Sequence, residues 1–212
     1  MQIDGTKKPT IQNVLEGDCE FKNAIISIKK DLDLIPSNLN NAFNTQYMAT
    51  YGIFPDTFLP KHIEKIKDVY DIVLIDCPPA LGHIIQTAYL SSDMVLSILD
   101  PDDNALDGVS HSLSEVDKIN KTKDKNINFK LLLNKYDART IFSSAILNEL
   151  RTDEKFKGKI LETIIRTSQE YLKSKGMGET IFDFNTRNKA FLDIDNLARE
   201  LLDWPTSEDN KS

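Results

Sequence analysis

Asp76 closes a four-residue apolar run, IVLI at 72–75, and is followed at once by Cys77, Pro78 and Pro79. Ligands of open parallel sheets sit beyond the carboxyl ends of the strands, so an acid ending such a run is placed for a cation or a ribose. In nucleotide hydrolases an aspartate so placed holds a magnesium ion that bridges phosphates. An aspartate that caps the following helix would carry the same letters. A second set, Asn134-Lys135-Tyr136-Asp137, satisfies the NKxD pattern, in which an aspartate accepts hydrogen bonds from a guanine edge. Phosphate cradling asks for a glycine-rich turn opening a helix, then Lys and Ser or Thr. The eight glycines, at 5, 17, 52, 82, 108, 158, 176 and 178, include no GK[ST]. Cys19 and Cys77 supply neither a disulfide framework nor a zinc set. His62, His83 and His111 stand apart from one another and from any second ligand at metal-site spacing.

The elements that must position these residues follow from periodicity. The continuous apolar run at 72–75 suits a strand of a parallel sheet, buried on both faces; 94–99 reads as a second buried strand, and 129–133 and 160–165 as further strands. Runs at 25–28 and 32–35 suit two short strands joined by a turn. A helix-like stretch from Thr10 to Leu15 stops at Gly17, with little of it expected in a core. Helical spacing recurs at Ile63, Ile66 and Val69, over 84–89, over 106–119, over 140–150 and over 188–202. Strands alternating with helices predict a single α/β domain over 1–204 with crossover helices. The polar tail, 205–212, is expected to be disordered. With 40% hydrophobic and 28% charged residues the composition is that of a soluble globular chain. No apolar stretch reaches the ~20 residues of a membrane span, and the opening MQIDGTKKPT lacks the apolar core of a secretory signal. A cytoplasmic location is the expectation.

The segment YDIVLIDCPPALG at 70–82 resembles the Walker B stretch of the ParA/MinD group of deviant-Walker ATPases, the ParA/Soj-type partition ATPases among them. Other segments are similar in the same order: TIQNVL at 10–15, LDLIPSN at 32–38, NALDG at 104–108, NKYDART at 134–140, and the stretches 163–166 and 178–187. The resemblance covers nearly the whole chain. It implies a three-layer, P-loop-NTPase-like α/β fold, with a mostly parallel sheet flanked by helices. Asp76 would be the Walker B acid, meeting magnesium through water, with Pro78 and Pro79 opening the switch loop that senses the γ-phosphate. Asn134 and Asp137 would lie beside the base, and the wider match to ATPases favours adenine over guanine. ATP and magnesium are the cofactors implied for an intact member. The family's KGGVGKT motif would lie ahead of everything matched here, so the sheet is expected to lack its first strand and P-loop helix. Its neighbours would then expose unpaired edges, with dimerisation or strand exchange as the repair, and ATP turnover by these residues is expected to be negligible. A chain that binds neither cofactor is compatible with that expectation.

Net charge is −7, but 151–190 carries nine Lys or Arg against six Asp or Glu, so that block is +3 and the remainder −10. On charge alone this is a solvated face. The resemblance adds nonspecific DNA binding by the ATP-bound dimer, with Arg166, Lys173, Lys175, Arg187 and Lys189 as the candidate contacts. It also implies a ParB-like or other adaptor protein as partner and a role in plasmid or chromosome partitioning, with replication as a possible association. The polar, acid-leaning end at 203–212 gives no basic amphipathic helix for a membrane. Two alternatives stand beside the partition ATPase. One is a noncatalytic dimerisation and partner-binding module, and the other is a guanine-nucleotide switch resting on NKYD.

Overall fold

Local signals start and stop the first helix, α1 (Ile11–Glu16): the Thr10 backbone N–H donates to Asn13 Oδ1 at 2.9 Å, and Gly17, at φ 81°, turns the chain out of it. The computed structural model describes residues 9–37, 57–78, 82–102, 105–185 and 187–202. The chain divides into two compact units, residues 2–92 and 93–212.

In the first unit the reversal at Gly17 brings Val14 against Phe21 and Ala24 of a 3-10 turn, Phe21–Ala24. Ile11, Cys19, Ile35, Phe58, Leu59 and Ile66 pack around them. The stretch expected to contribute little core therefore seeds one, because a turn that no periodicity count registers folds its apolar face back on the chain. The hairpin arrives as expected, as antiparallel β1 (Ile26–Lys29) and β2 (Leu32–Leu34), with Asp31 at φ 61° in the turn. Helix α2 (Phe58–Glu64) ends before Ile66 and Val69, which continue in turns, and Val69 is exposed. His62 on α2 stacks on the Phe21 ring at 4.7 Å and meets Phe58 edge-on at 4.9 Å. Burial there lowers its pKa. Helix α3 (His83–Leu90) buries Ile85, Ala88 and Leu90.

The run 72–75 departs from expectation. It forms no strand, and Ile72, Val73 and Leu74 are 56%, 41% and 88% exposed. Being apolar on both faces suits a strand to the middle of a sheet, but the ladder needs a neighbour. Among the described residues, no backbone pairs with this run.

The second unit holds the parallel sheet. β3 (Met94–Leu99) and β4 (Asn128–Leu133) pair in parallel from Met94 opposite Asn128 to Leu99 opposite Leu133, joined through α4 (Ala105–Lys123). The stretch read as a strand at 160–165 extends the ladder on the far side of β4. Parallel bridges join Leu131 to Ile160 and Tyr136 to Arg166, and the N–H groups of Leu161 and Ile165 donate to the Leu131 and Leu133 carbonyls at 2.9 Å. All five residues 129–133 are buried, as a central parallel strand requires. One of them is Lys130, whose ammonium donates to the Gly158 carbonyl at 2.9 Å while burial lowers its pKa.

Helices α5 (Ile141–Thr152), α6 (Gln169–Met177), α7 (Ile181–Phe184) and α8 (Lys189–Leu202) complete this unit. Helix α8 lays Ile194, Leu197 and Leu201 on Leu132, Leu161 and Ile165. It also takes the backbone donors that β4 leaves unused. Glu200 accepts from the N–H groups of Glu162 and Thr163 at 2.7 and 2.8 Å, and Asp193 accepts from that of Arg166 at 3.0 Å. The outer edge of the sheet is thereby closed by two carboxylates on one helix face. The chain is an α/β fold of parallel strands and helices. Among the described residues no helix is long and apolar enough to cross a membrane. The tail at 205–212 lies outside the described residues.

Candidate functional site

The run 72–75 has Asp76 at its carboxyl end, exposed, with no hydrogen-bond or ion-pair partner for its carboxylate among the described residues. Pro78 is exposed beside it, and Pro79 lies outside the described residues. A carboxylate in that condition has its lone pairs open to water or a hydrated cation.

Asn134 and Asp137 belong to the other unit, in the loop that leaves the carboxyl end of β4. Asn134 donates its backbone N–H to the Leu99 carbonyl and its side-chain amide to Asp100 Oδ1, both at 2.8 Å. Lys135, at φ 50°, turns its ammonium onto the other oxygen of Asp100, which raises the lysine pKa. Tyr136 is tied to Ile165 and Thr167 by backbone bonds at 3.0 Å. Asp137 is claimed from within its own loop. Arg139 donates Nε to Oδ1 at 2.9 Å and Nη2 to Oδ2 at 2.7 Å, and its backbone N–H also reaches Oδ1. These bonds to Arg139 hold the Asp137 carboxyl at about 2. Thr140 then caps α5 by accepting from the Ser143 N–H at 3.2 Å. A guanine edge needs that same pair of carboxylate oxygens, and here both already carry a guanidinium.

The five basic candidates are not equivalent. Arg166 forks onto Asp193, with Nε 3.1 and 3.0 Å from its two oxygens and Nη2 bonded to Oδ1. Asp193 is 4% exposed, and this partner raises the arginine pKa. Both charges line a depression of about 380 Å³ with Tyr136, Glu162, Thr163, Ile164 and Asn196, and they neutralise each other there. Lys173 pairs with Glu170 at 2.7 Å along α6. Lys175, Arg187 and Lys189 are exposed and have no acidic partner among the described residues. Sequence reasoning missed Asp100, Arg139, Asp193 and Glu200. Asp100 ends an apolar run just as Asp76 does, and Asp193 and Glu200 are seven residues apart on an amphipathic helix, so both signals were present in the letters.

A family model described as an AAA domain matches residues 1–130. The Soj protein of Bacillus subtilis, a sporulation initiation inhibitor, is 27% identical over 193 residues, covering 90% of this chain and 75% of that protein. The chain is a member of the ParA/Soj-type partition ATPase family. An uncharacterized Mycobacterium tuberculosis protein, MT1749, is 28% identical over 198 residues, covering 92% of this chain and 61% of its own length. The chain thus spans about three fifths of the length of the first curated relatives it matches. Among solved structures, apo McdA of Cyanothece superposes with a TM-score of 0.79 at 16% identity, covering 94% of this chain and 80% of that one. The ATP complex of a variant of that McdA, with one aspartate replaced by alanine, gives 0.78 at 16% identity, covering 96% and 79%. This likeness places the ParA/Soj family member among P-loop NTPase folds.

Magnesium ATP, the cofactor the family implies, fits these residues only in part. The unpartnered Asp76 carboxylate suits a water-bridged magnesium ion. The polyphosphate finds no glycine-lysine cradle among the 212 residues.

Proposed function

We propose that this chain serves plasmid or chromosome partitioning as the Walker B and partner-binding portion of a ParA-like ATPase, and that these 212 residues alone do not turn over ATP. The observation that carries the reading is Asp76, an unpartnered exposed acid at the carboxyl end of an apolar run in a partition-ATPase family member. Phosphoryl transfer is catalysed by positioning and charge stabilisation, and an acid without the backbone cradle supplies too little of either. Phosphate release measured with and without magnesium tests this. Background release, unchanged in Asp76→Ala, is the expected result, and magnesium-dependent turnover abolished by that substitution would overturn it.

In this reading the partners are a second copy, nonspecific DNA and a ParB-like or other adaptor, and the location is the cytoplasm. DNA contact falls on Lys175, Arg187 and Lys189, since Arg166 and Lys173 already hold carboxylates. Joint replacement of those three by alanine in a protein that also carries GKGGxGKT is expected to flatten the salt dependence of filter binding. The Arg139 fork on Asp137 speaks against the guanine-switch alternative. A noncatalytic dimerisation module differs in one outcome: nucleotide would have no effect on self-association of the same GKGGxGKT-bearing protein.

A further inference from the structure

Helix α2 of the first unit is seated through an ionisable ring. The His62 imidazole stacks on Phe21 with ring centres 4.7 Å apart and planes 9° from parallel, and Phe58 meets it edge-on at 4.9 Å. Phe21 belongs to the cluster with Val14 and Ala24 on which Phe58, Leu59 and Ile66 pack, so this contact joins α2 to α1 and the 3-10 turn. Nδ1 of His62 is enclosed and has no hydrogen-bond partner among the described residues. A neutral imidazole tolerates that by keeping a lone pair on Nδ1 and its N–H on Nε2. An imidazolium carries an N–H on both nitrogens, and the enclosed one would be a charged donor without an acceptor.

The charges on the elements packed here do not offset that cost. Glu16 of α1 accepts from Gln12 at 2.8 Å, Glu20 pairs with Lys22 at 2.9 Å, Asp33 accepts from Tyr70 at 2.6 Å and Glu64 pairs with Lys67 at 2.5 Å. Cys19 donates its thiol to the Glu20 carbonyl at 3.1 Å, while Asp18 and Lys61 are exposed. Lys65, just past the end of α2, sets a second positive charge against the ring. Stacking on the Phe21 face favours a cation, but burial and then Lys65 oppose it and lower the His62 pKa. We infer that His62 is a pH-sensitive latch: neutral, it seats α2 on the Phe21 cluster, and protonated, it releases the helix and the turns that follow. Those turns, in which the Val69 and Tyr70 N–H groups donate to the Ile66 carbonyl at 2.9 and 3.2 Å, lead to the run 72–75 and Asp76. The latch's stabilising contribution is complete above the ordinary histidine value of 6.5 and is lost as pH falls through the depressed folded-state value. It rests on packing within the first unit and not on nucleotide binding, so its test is separate from that of ATP turnover.

NMR of the full chain tests it, with the His62 ring titrated directly and amide exchange expressed as protection over the intrinsic rate at each pH. The ring is expected to titrate below 6.5. Between pH ~7.5 and ~5.5, protection in α2 and at Val69 and Tyr70 is expected to fall by about threefold or more, while β4 in the other unit keeps its protection. His62→Phe retains an aromatic ring that cannot take a proton, and its α2 amides should hold their protection over the same range. Should that variant already have lost protection in α2 at pH ~7.5, the titration of the parent ring still decides. A His62 that titrates at or above 6.5 would overturn the proposal. So would an equal fall in His62→Phe, or a fall shared equally by both units, since either would place the acid response elsewhere.

Discussion

Two runs in this chain read almost alike, and only one becomes a strand. IVLI at 72–75 and MVLSIL at 94–99 are both predominantly apolar runs, and each is followed by an aspartate, Asp76 and Asp100. The second pairs along its whole length with β4 and buries Val95 and Leu99. Its terminal Asp100 is held by Asn134 and Lys135. The first exposes three of its four side chains, and its terminal acid stands without a partner among the described residues. Burying one Leu or Ile side chain stabilises by about 1.5–3 kcal/mol, so the difference does not lie in the side chains. It lies in whether a neighbouring backbone is present to complete the ladder.

The contrast breaks most visibly at Leu131, in the fully buried centre of β4. Leu131→Ala is expected to cost about 2–5 kcal/mol in urea unfolding, whereas Leu74→Ala, at 88% exposure, should change stability by less than about 0.5 kcal/mol. Comparable losses at the two positions would mean that 72–75 is packed in solution. Asp193→Ala comes next. It strips Arg166 of a buried carboxylate and orphans its N–H, an expected loss of about 2–3 kcal/mol. Glu200→Gln keeps one acceptor for two donors and should cost about 1 kcal/mol. Faster amide exchange at Glu162 and Thr163 in that variant would trace the effect to the sheet edge.

The smallest effect is set by pH. The Asp137 carboxyl is depressed to about 2 by Arg139, so the folded state holds fewer protons there than the unfolded chain. Its stabilising contribution is complete above the ordinary carboxyl value near ~3.9 and is lost as pH falls through about 2. Carboxyl carbon shifts followed by NMR should show that low titration, moving up toward the ordinary range in Arg139→Ala. A carboxyl that already titrates normally in the parent would mean the fork is open in solution.

Much of the fold is legible in the letters because period and breaker coincide. β3 lies at the residues expected, and Gly17 stops α1 where a left-handed turn is needed. Periodicity does not anticipate helix α6. Its sequence, QEYLKSKGM, carries too few apolar residues for a stripe, and it is defined by its ends: Ser168 accepts from the Glu170 N–H, and Gly178 turns at φ 70°. Asp76, Asn134 and Asp137 stand out by motif letters, which report residue type and not who has claimed the side chain. The Asp137 fork depends on a two-residue reach to Arg139, and the Arg166 fork on a helix 27 residues away. Periodicity records neither.

The clasp formed by Asp193 and Glu200 also has a place in time. Twenty-seven residues separate Arg166 from Asp193, and 38 separate Glu162 from Glu200. At ribosomal speeds of about 5–20 residues per second, those donors wait roughly 1–8 s after synthesis before their acceptors exist. Through that interval the nascent chain carries an unsealed strand edge, and helix α8, among the last described residues to be translated, closes it.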